Sequence, residues 1–156
     1  EIEAMFEFLE ALGVDGHMIS PGYSYSAVQT KEIFLDRARI RHKFREIKRL
    51  GRRFPLNASP VYAEFLAGDR ELMCTAWGNP TYNTKGWKGP CYLMTDAHHD
   101  TFGDLIHETP WEKYGYGRDP RCENCLVHCG YEASAAIGKN ARFGDTWKMM
   151  SWSLFG

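Results

Sequence analysis

The sequence predicts an α/β chain: the last βα units of a parallel sheet or barrel, followed by a small, cysteine-rich, metal-stabilised α+β extension. Three observations carry that expectation. A helical stripe, a glycine and a short apolar run across residues 1–20 make half of a βα repeat. From about residue 70 the periodic apolar pattern gives way to turn formers. Residues 122–129 then read Cys-Glu-Asn-Cys-Leu-Val-His-Cys, three thiols within eight residues. The expected division is 1–69 for the βα part, 70–133 for the cysteine-rich extension and 134–156 for a helical tail.

The first element follows from Ile2, Met5, Phe6, Leu9 and Leu12, spaced as an amphipathic helix with glutamates between them and Gly13 as the stop. Val14–Ser20 reads as a short buried strand, and Pro21-Gly22 ends it where a parallel sheet presents a functional loop. A single strand cannot satisfy its own backbone, and the chain opens inside a helix without an initiator methionine, so the rest of the sheet is expected in a missing N-terminal portion. After the loop Tyr23–Ser26, a helix runs from a cap at Asp36 to Leu50, with Ile40, Phe44 and Ile47 on one face. Residues 37–53 hold nine of the nineteen Lys and Arg residues against one acid, Glu46. Such a field suits phosphate, nucleic acid or an anionic membrane; the plainer reading is a solvated face on a helix packed against its own domain.

Phe54–Asn57 reads as extended, and Ser59-Pro60 opens a short helix to Gly68 with serine as cap and proline in the first turn. Trp77–Pro90 is a loop or wide hairpin leading into extended Cys91–Met94, with Trp77, Tyr82 and Trp87 either sheltering a ligand or forming the hairpin's own small core. His98-His99-Asp100 reads as a polar turn, because adjacent side chains diverge. Thr101–Glu108 reads as one short helix and Trp111–Gly117 as a glycine-broken turn. In the tail, Trp147, Met150, Leu154 and Phe155 form a weak amphipathic pattern that docks on the parent domain or touches a lipid surface.

The totals bound the function. With 156 residues, 44% apolar and 14% aromatic, a core is affordable and disorder excluded. A formal charge of −1 gives no global attraction to nucleic acid or anionic lipid. No run nears the roughly eighteen apolar residues of a membrane span, and no secretion signal opens the chain, so a cytoplasmic setting is expected. Five cysteines, an odd number, agree with that setting. CxxC spacing points two sulfurs into one pocket, and a third thiol four residues on joins from the next turn. Cys74 and Cys91 flank a turn-rich segment upstream. Four thiolates suffice for tetrahedral zinc or for a [4Fe–4S] cubane, so the residues leave both open, with one thiol to spare. His128 reads as a surface or supporting group.

The order of these pieces, namely a barrel-type helix and strand, Cys74, a glycine turn at Gly86, Cys91, and Cys122-x-x-Cys125-x-x-x-Cys129, resembles the C-terminal part of radical S-adenosylmethionine enzymes with a shortened SPASM-like or twitch-like extension. Met18-Ile-Ser-Pro-Gly-Tyr-Ser-Tyr25, Cys74-Thr-Ala-Trp-Gly-Asn-Pro80, Gly89-Pro-Cys-Tyr-Leu93 and Val127-His-Cys-Gly-Tyr-Glu132 resemble the hopanoid-biosynthesis members, the adenosylhopene synthases. The resemblance covers residues 1–133. It implies the end of a radical S-adenosylmethionine barrel and the addition of a deoxyadenosyl radical to the alkene of a hopene, a diploptene-type triterpene, to give adenosylhopane. It also implies [4Fe–4S] and S-adenosylmethionine as cofactors, with zinc the alternative at the cysteines. The implied partners are the lipid substrate, the N-terminal barrel of the same chain and an electron donor such as flavodoxin or ferredoxin, with no nucleic acid; the implied location is cytoplasmic and peripheral to the inner membrane. Ser20, Pro21, Gly22 and Tyr23 are the expected cofactor-binding loop, and Cys74, Cys91, Cys122, Cys125 and Cys129 the metal-ligand candidates; of these the set Cys91, Cys122, Cys125 and Cys129 is preferred, with Cys74 the rival for the outermost place. One departure stands out: the catalytic motif of that superfamily is CxxxCxxC, whereas this chain has the reversed CxxCxxxC, so these residues alone should not cleave S-adenosylmethionine. Two rivals remain: a zinc-stapled module placing the 37–53 helix on nucleic acid, and a radical enzyme of the same superfamily acting on another substrate.

Overall fold

A computed structural model describes residues 1–25, 28–137 and 142–155, without the side chains of Ile137 and Phe155; Ser26 of the expected loop and the Phe155 side chain of the tail stripe lie outside the described residues. Helix α1 spans Ile2–Ala11, and Gly13 turns the chain with φ +76°. Only Phe6 of its stripe is fully buried, while Met5 and Leu12 stay exposed, so the apolar face of α1 is only partly covered by this chain.

The expected strand at Val14–Ser20 narrows to one parallel bridge. His17 N–H donates to Pro55 O at 2.9 Å, and Asn57 N–H donates to His17 O at 2.9 Å, pairing His17 with Leu56. Helix α2 (Arg37–Leu50) lies between these partners in sequence, and the bridge is isolated, outside any strand. Asp36 caps α2 by accepting from Arg39 N–H. Helix α3 (Pro60–Ala67) has Ser59 as cap, proline in its first turn and Gly68 at φ +84° as stop, as its sequence demands.

Past residue 70 the regular structure is a three-stranded antiparallel sheet, β1 (Tyr82–Asn83), β2 (Gly86–Gly89) and β3 (Ala97–His99), in sequence order. Gly86, at φ +120°, brings its backbone so close to His99 O that a Cβ would stand 2.5 Å from it. Trp87 packs edge-on between Tyr82 and Phe102, each at 5.2 Å between ring centroids, which makes these rings the core of the hairpin. Two local expectations change here. Pro90 has no N–H with which to extend the ladder, and residues 91–95 close into a turn through Thr95 N–H to Cys91 O, so Cys91–Met94 is not extended. The returning strand is Ala97–His99, where a polar turn was expected; His99 is held there by Glu108 at 3.3 Å and the Thr109 hydroxyl at 3.2 Å.

Helix α4 (Phe102–Glu108) opens with a capping box between Thr101 and Asp104. Helix α5 (His128–Ile137), which no periodic stripe announces, starts inside the three-cysteine stretch and runs across residue 133; α6 (Asp145–Phe155) follows. A single apolar core crosses residue 70: Phe6, Ile40, Phe44, Val61, Phe65 and Leu66 from the first part pack with Leu126, Tyr131 and Ala135 from the second. Phe65 and Tyr131 stack at 4.3 Å between centroids. Helix α6 is latched by a buried bidentate pair, Arg70 to Asp145 at 2.7 and 2.8 Å. No helix among the described residues is long and apolar enough to cross a membrane.

Candidate metal centre

The five cysteines come from three separated segments and line one small cavity together with Tyr23, Leu93, Met94 and Tyr114. None forms a disulfide. Each segment is positioned by its own set of bonds. Cys74 is carried by a stretch stitched to α5: Thr75 N–H and its hydroxyl donate to Gly130 O at 2.9 and 3.1 Å, and the Ser134 hydroxyl bonds Met73 O. Cys74 Sγ lies where a Cβ on residue 130 would be, so the glycine after Cys129 is what lets the sulfur in. Cys91 starts the closed turn that follows β2. That turn is tied to the three-cysteine stretch by Arg121, whose guanidinium donates to Asp96 at 2.7 and 2.8 Å and to Asp119 at 2.7 Å. The same guanidinium holds the Asp96 and Asp119 carboxyls below the usual range.

Cys122 closes a 3₁₀ turn (Pro120–Cys122), Cys125 follows one turn later, and Cys129 sits in the first turn of α5. This stretch is pinned to the N-terminal half. Tyr62 donates to Leu126 O at 2.7 Å, and Ser59 donates to Glu132 through both its N–H and its hydroxyl, at 3.0 and 2.6 Å. Arg37 N–H donates to Asn124 at 3.0 Å.

The environment is dry. Burial pushes the Cys74 and Cys129 thiols up to about 12, and the neighbouring thiols add to the rise. Cys125 and Cys122 are pushed up as well, also mainly by burial. Protein groups alone therefore disfavour thiolates at Cys74, Cys122, Cys125 and Cys129; a cation that displaces the protons would favour them. The donor set is entirely soft sulfur, which fits zinc or an iron-sulfur cluster. Among the described residues no three Cys, His, Asp or Glu side chains stand close enough to grip one ion. Tetrahedral zinc would require the sulfurs to close to about 3.8 Å of each other, whereas a cubane takes one thiolate on each of four irons and tolerates wider spacing. The cavity measures about 30 Å³, too small for a cluster, so its lining would have to open to admit one.

The expected cofactor loop meets this cavity at one residue. Tyr23 lines it, donates to Arg121 O at 3.2 Å, and has its hydroxyl pushed up to about 12 by burial and then by Cys125, Cys122 and Cys91. Ser20 bonds His128 Nδ1 at 3.2 Å, so His128 braces the loop. Pro21 and Gly22 line a separate cleft, whose walls mix apolar side chains such as Ile19 and Phe44 with Glu1, Lys43 and Glu46. Sequence pattern alone does not single out Gly130, Arg121, Asp96 or the His128–Ser20 contact. The glycine directly after the last cysteine was the one available signal; the other pairings span 25 and 108 residues and leave no local pattern.

Five of the nine cations of residues 37–53 meet acids of the same fold. Arg37 and Arg41 bind Glu71, Arg39 lies near Asp36, Lys48 binds Asp69, and Arg53 binds Glu3 and Glu7.

No curated protein and no solved structure matches the chain. A family described as Domain of unknown function (DUF3463) matches residues 17–149, a span that takes in the parallel bridge, all five cysteines and the start of α6. The chain belongs to that family.

Proposed function

We propose that the chain is the cysteine-bearing C-terminal part of a radical S-adenosylmethionine enzyme of the hopanoid type, and that its thiols hold an auxiliary [4Fe–4S] cluster. The observation that carries the reading is the convergence of five unpaired cysteines from three segments on one dry cavity, which also receives Tyr23 from the loop after the parallel bridge. Such a cluster would supply electron relay or cross-linking. The protein's own part is to hold the sulfurs in a water-poor shell and to fix the Ser20–Tyr23 loop against them. CxxxCxxC is supplied, in this reading, by an N-terminal barrel of the same polypeptide, with a ferredoxin or flavodoxin as donor. The substrate is a hopene-type triterpene, whose own hydrocarbon lines the pocket in which a carbon radical must be kept from water. The location that goes with this reading is cytoplasmic, at the inner membrane face.

The test is anaerobic isolation of the whole polypeptide, with iron and sulfide analysis and incubation with S-adenosylmethionine, a reductant and diploptene. Brown protein carrying more iron than one cluster needs, and an adenosylated lipid product, is the expected result. Colourless protein with about one zinc per chain overturns the cluster; iron without lipid product overturns the substrate.

A further inference from the structure

Helix α6 has two apolar faces, and the fold uses one of them. Asp145 is buried in its pair with Arg70, Met149 packs against the core and Trp152 is half-buried, which makes these three the docked side. Trp147, Met150 and Leu154 stand on the opposite side, 74%, 52% and 70% exposed. Their spacing, three residues and then four, makes one continuous stripe, the kind of seam along which helices pair. Phe143, one turn of chain before Trp147 and fully exposed, prolongs the stripe past the start of the helix.

A contiguous exposed apolar stripe marks an interaction surface, and its charge says of which kind. The ionised side chains of α6 are Asp145 and Lys148, and the fold engages both, through Arg70 and Glu64. Beside the stripe stand the hydroxyls of Thr146, Ser151 and Ser153. A helix that lies on a membrane brings free lysine and arginine to the headgroups, whereas the one cation of α6 is already held by Glu64. A neutral surface can meet its own copy without setting like charges together.

We propose that the outer face of α6 pairs two copies of this chain, antiparallel, about Met150. That arrangement sets each Trp147 against the partner's Leu154, a broad ring on a smaller branched chain, and leaves the pliable Met150 side chains at the two-fold axis. Phe143, Trp147, Met150 and Leu154 together expose on the order of 600 Å² per copy, most of the roughly 800 Å² that each partner gives to a stable interface. The pairing owes nothing to the sulfur site or to the substrate.

The experiment is sedimentation velocity of the whole polypeptide over a wide range of concentration, for the wild type, Trp147→Glu, Leu154→Lys and an equimolar mixture of the two variants. Both positions are already exposed, so the fold should tolerate the changes, and circular dichroism melts check that it does. A wild-type dimer is expected, with dissociation made at least roughly hundredfold easier by either substitution. The mixture should recover the dimer, because a mixed pair joins the new carboxylate to the new ammonium and keeps one native Trp147–Leu154 contact. A monomeric wild type overturns the proposal, whether another part of the polypeptide covers the stripe or the monomer floats with vesicles of phosphatidylethanolamine and phosphatidylglycerol. A dimer indifferent to both substitutions overturns it too, and a mixture that stays monomeric overturns the antiparallel pairing.

Discussion

Replacing Gly130 by alanine tests whether Cys74 serves the thiol cavity. Within a helix such a change ordinarily stabilises by about 1 kcal/mol. Here the new methyl meets Cys74 Sγ directly, with the Cys74 Cβ 3.6 Å and the Ala76 nitrogen 3.9 Å away. The Cys74 backbone cannot retreat, because Thr75 and Ser134 fasten it to α5. Relief requires either local overpacking, at about 1–3 kcal/mol, or rotation of the Cys74 side chain, which takes the sulfur out of the cavity. Set against the usual gain, the net effect is a loss of roughly 0–2 kcal/mol. The assay pairs thermal melts with iron and sulfide per chain in anaerobic preparations of the wild type, Gly130→Ala and Cys74→Ser. A melting midpoint unmoved or lowered, with Gly130→Ala iron content falling to match Cys74→Ser, is expected if Cys74 is a ligand. A raised midpoint with undiminished iron would refute the reasoning, since the sulfur would then not occupy the space over Gly130.

Other outcomes follow from the same contacts. Serine at Cys122, Cys125 or Cys129 should lower bound iron more than serine at whichever of Cys74 and Cys91 is the spare thiol, read by iron analysis and visible absorbance. Arg70 holds the Asp145 carboxyl down at about 2, so this pair stabilises above the ordinary carboxylate range and the contribution, about 2 kcal/mol at most, is lost as pH falls from about 4 towards 2; Asp145→Asn should flatten that part of the acid denaturation curve. In metal-free protein the raised Cys74 and Cys129 thiols favour the folded state below their unfolded value and cease to do so as pH rises towards about 12, so stability should decline above about pH 9, and alkylation of both at pH 8 should be slow until denaturant is added. Tyr62→Phe removes the bond to Leu126 O and should cost about 1 kcal/mol or somewhat more, measured by urea titration.

What the sequence disclosed followed physical range. The caps at Asp36 and Ser59 and the stop at Gly68 are decided within four residues, and each stands where its pattern places it. Cysteine convergence was legible because CxxC spacing nearly dictates it, and Cys74 and Cys91 do join that cavity. Pairings set at long range were not legible. Leu56 as parallel partner of His17 depends on the packing of α2 between them, and β3 depends on Trp87 meeting Phe102. Helix α5 escaped because its core contacts, Tyr131 and Ala135, are separated by small and polar residues, so its stripe is weak, while a histidine, a cysteine and a glycine open it.

The shared core has a consequence for inheritance. Phe65 leans on Tyr131, and the Tyr62 hydroxyl donates to Leu126 O. A recombination joint at residue 70 would bare both rings on one side and orphan α5 on the other. The cysteine segment cannot travel between genes as a loose cassette: any lineage that acquires it must take α2 and α3 in the same transfer.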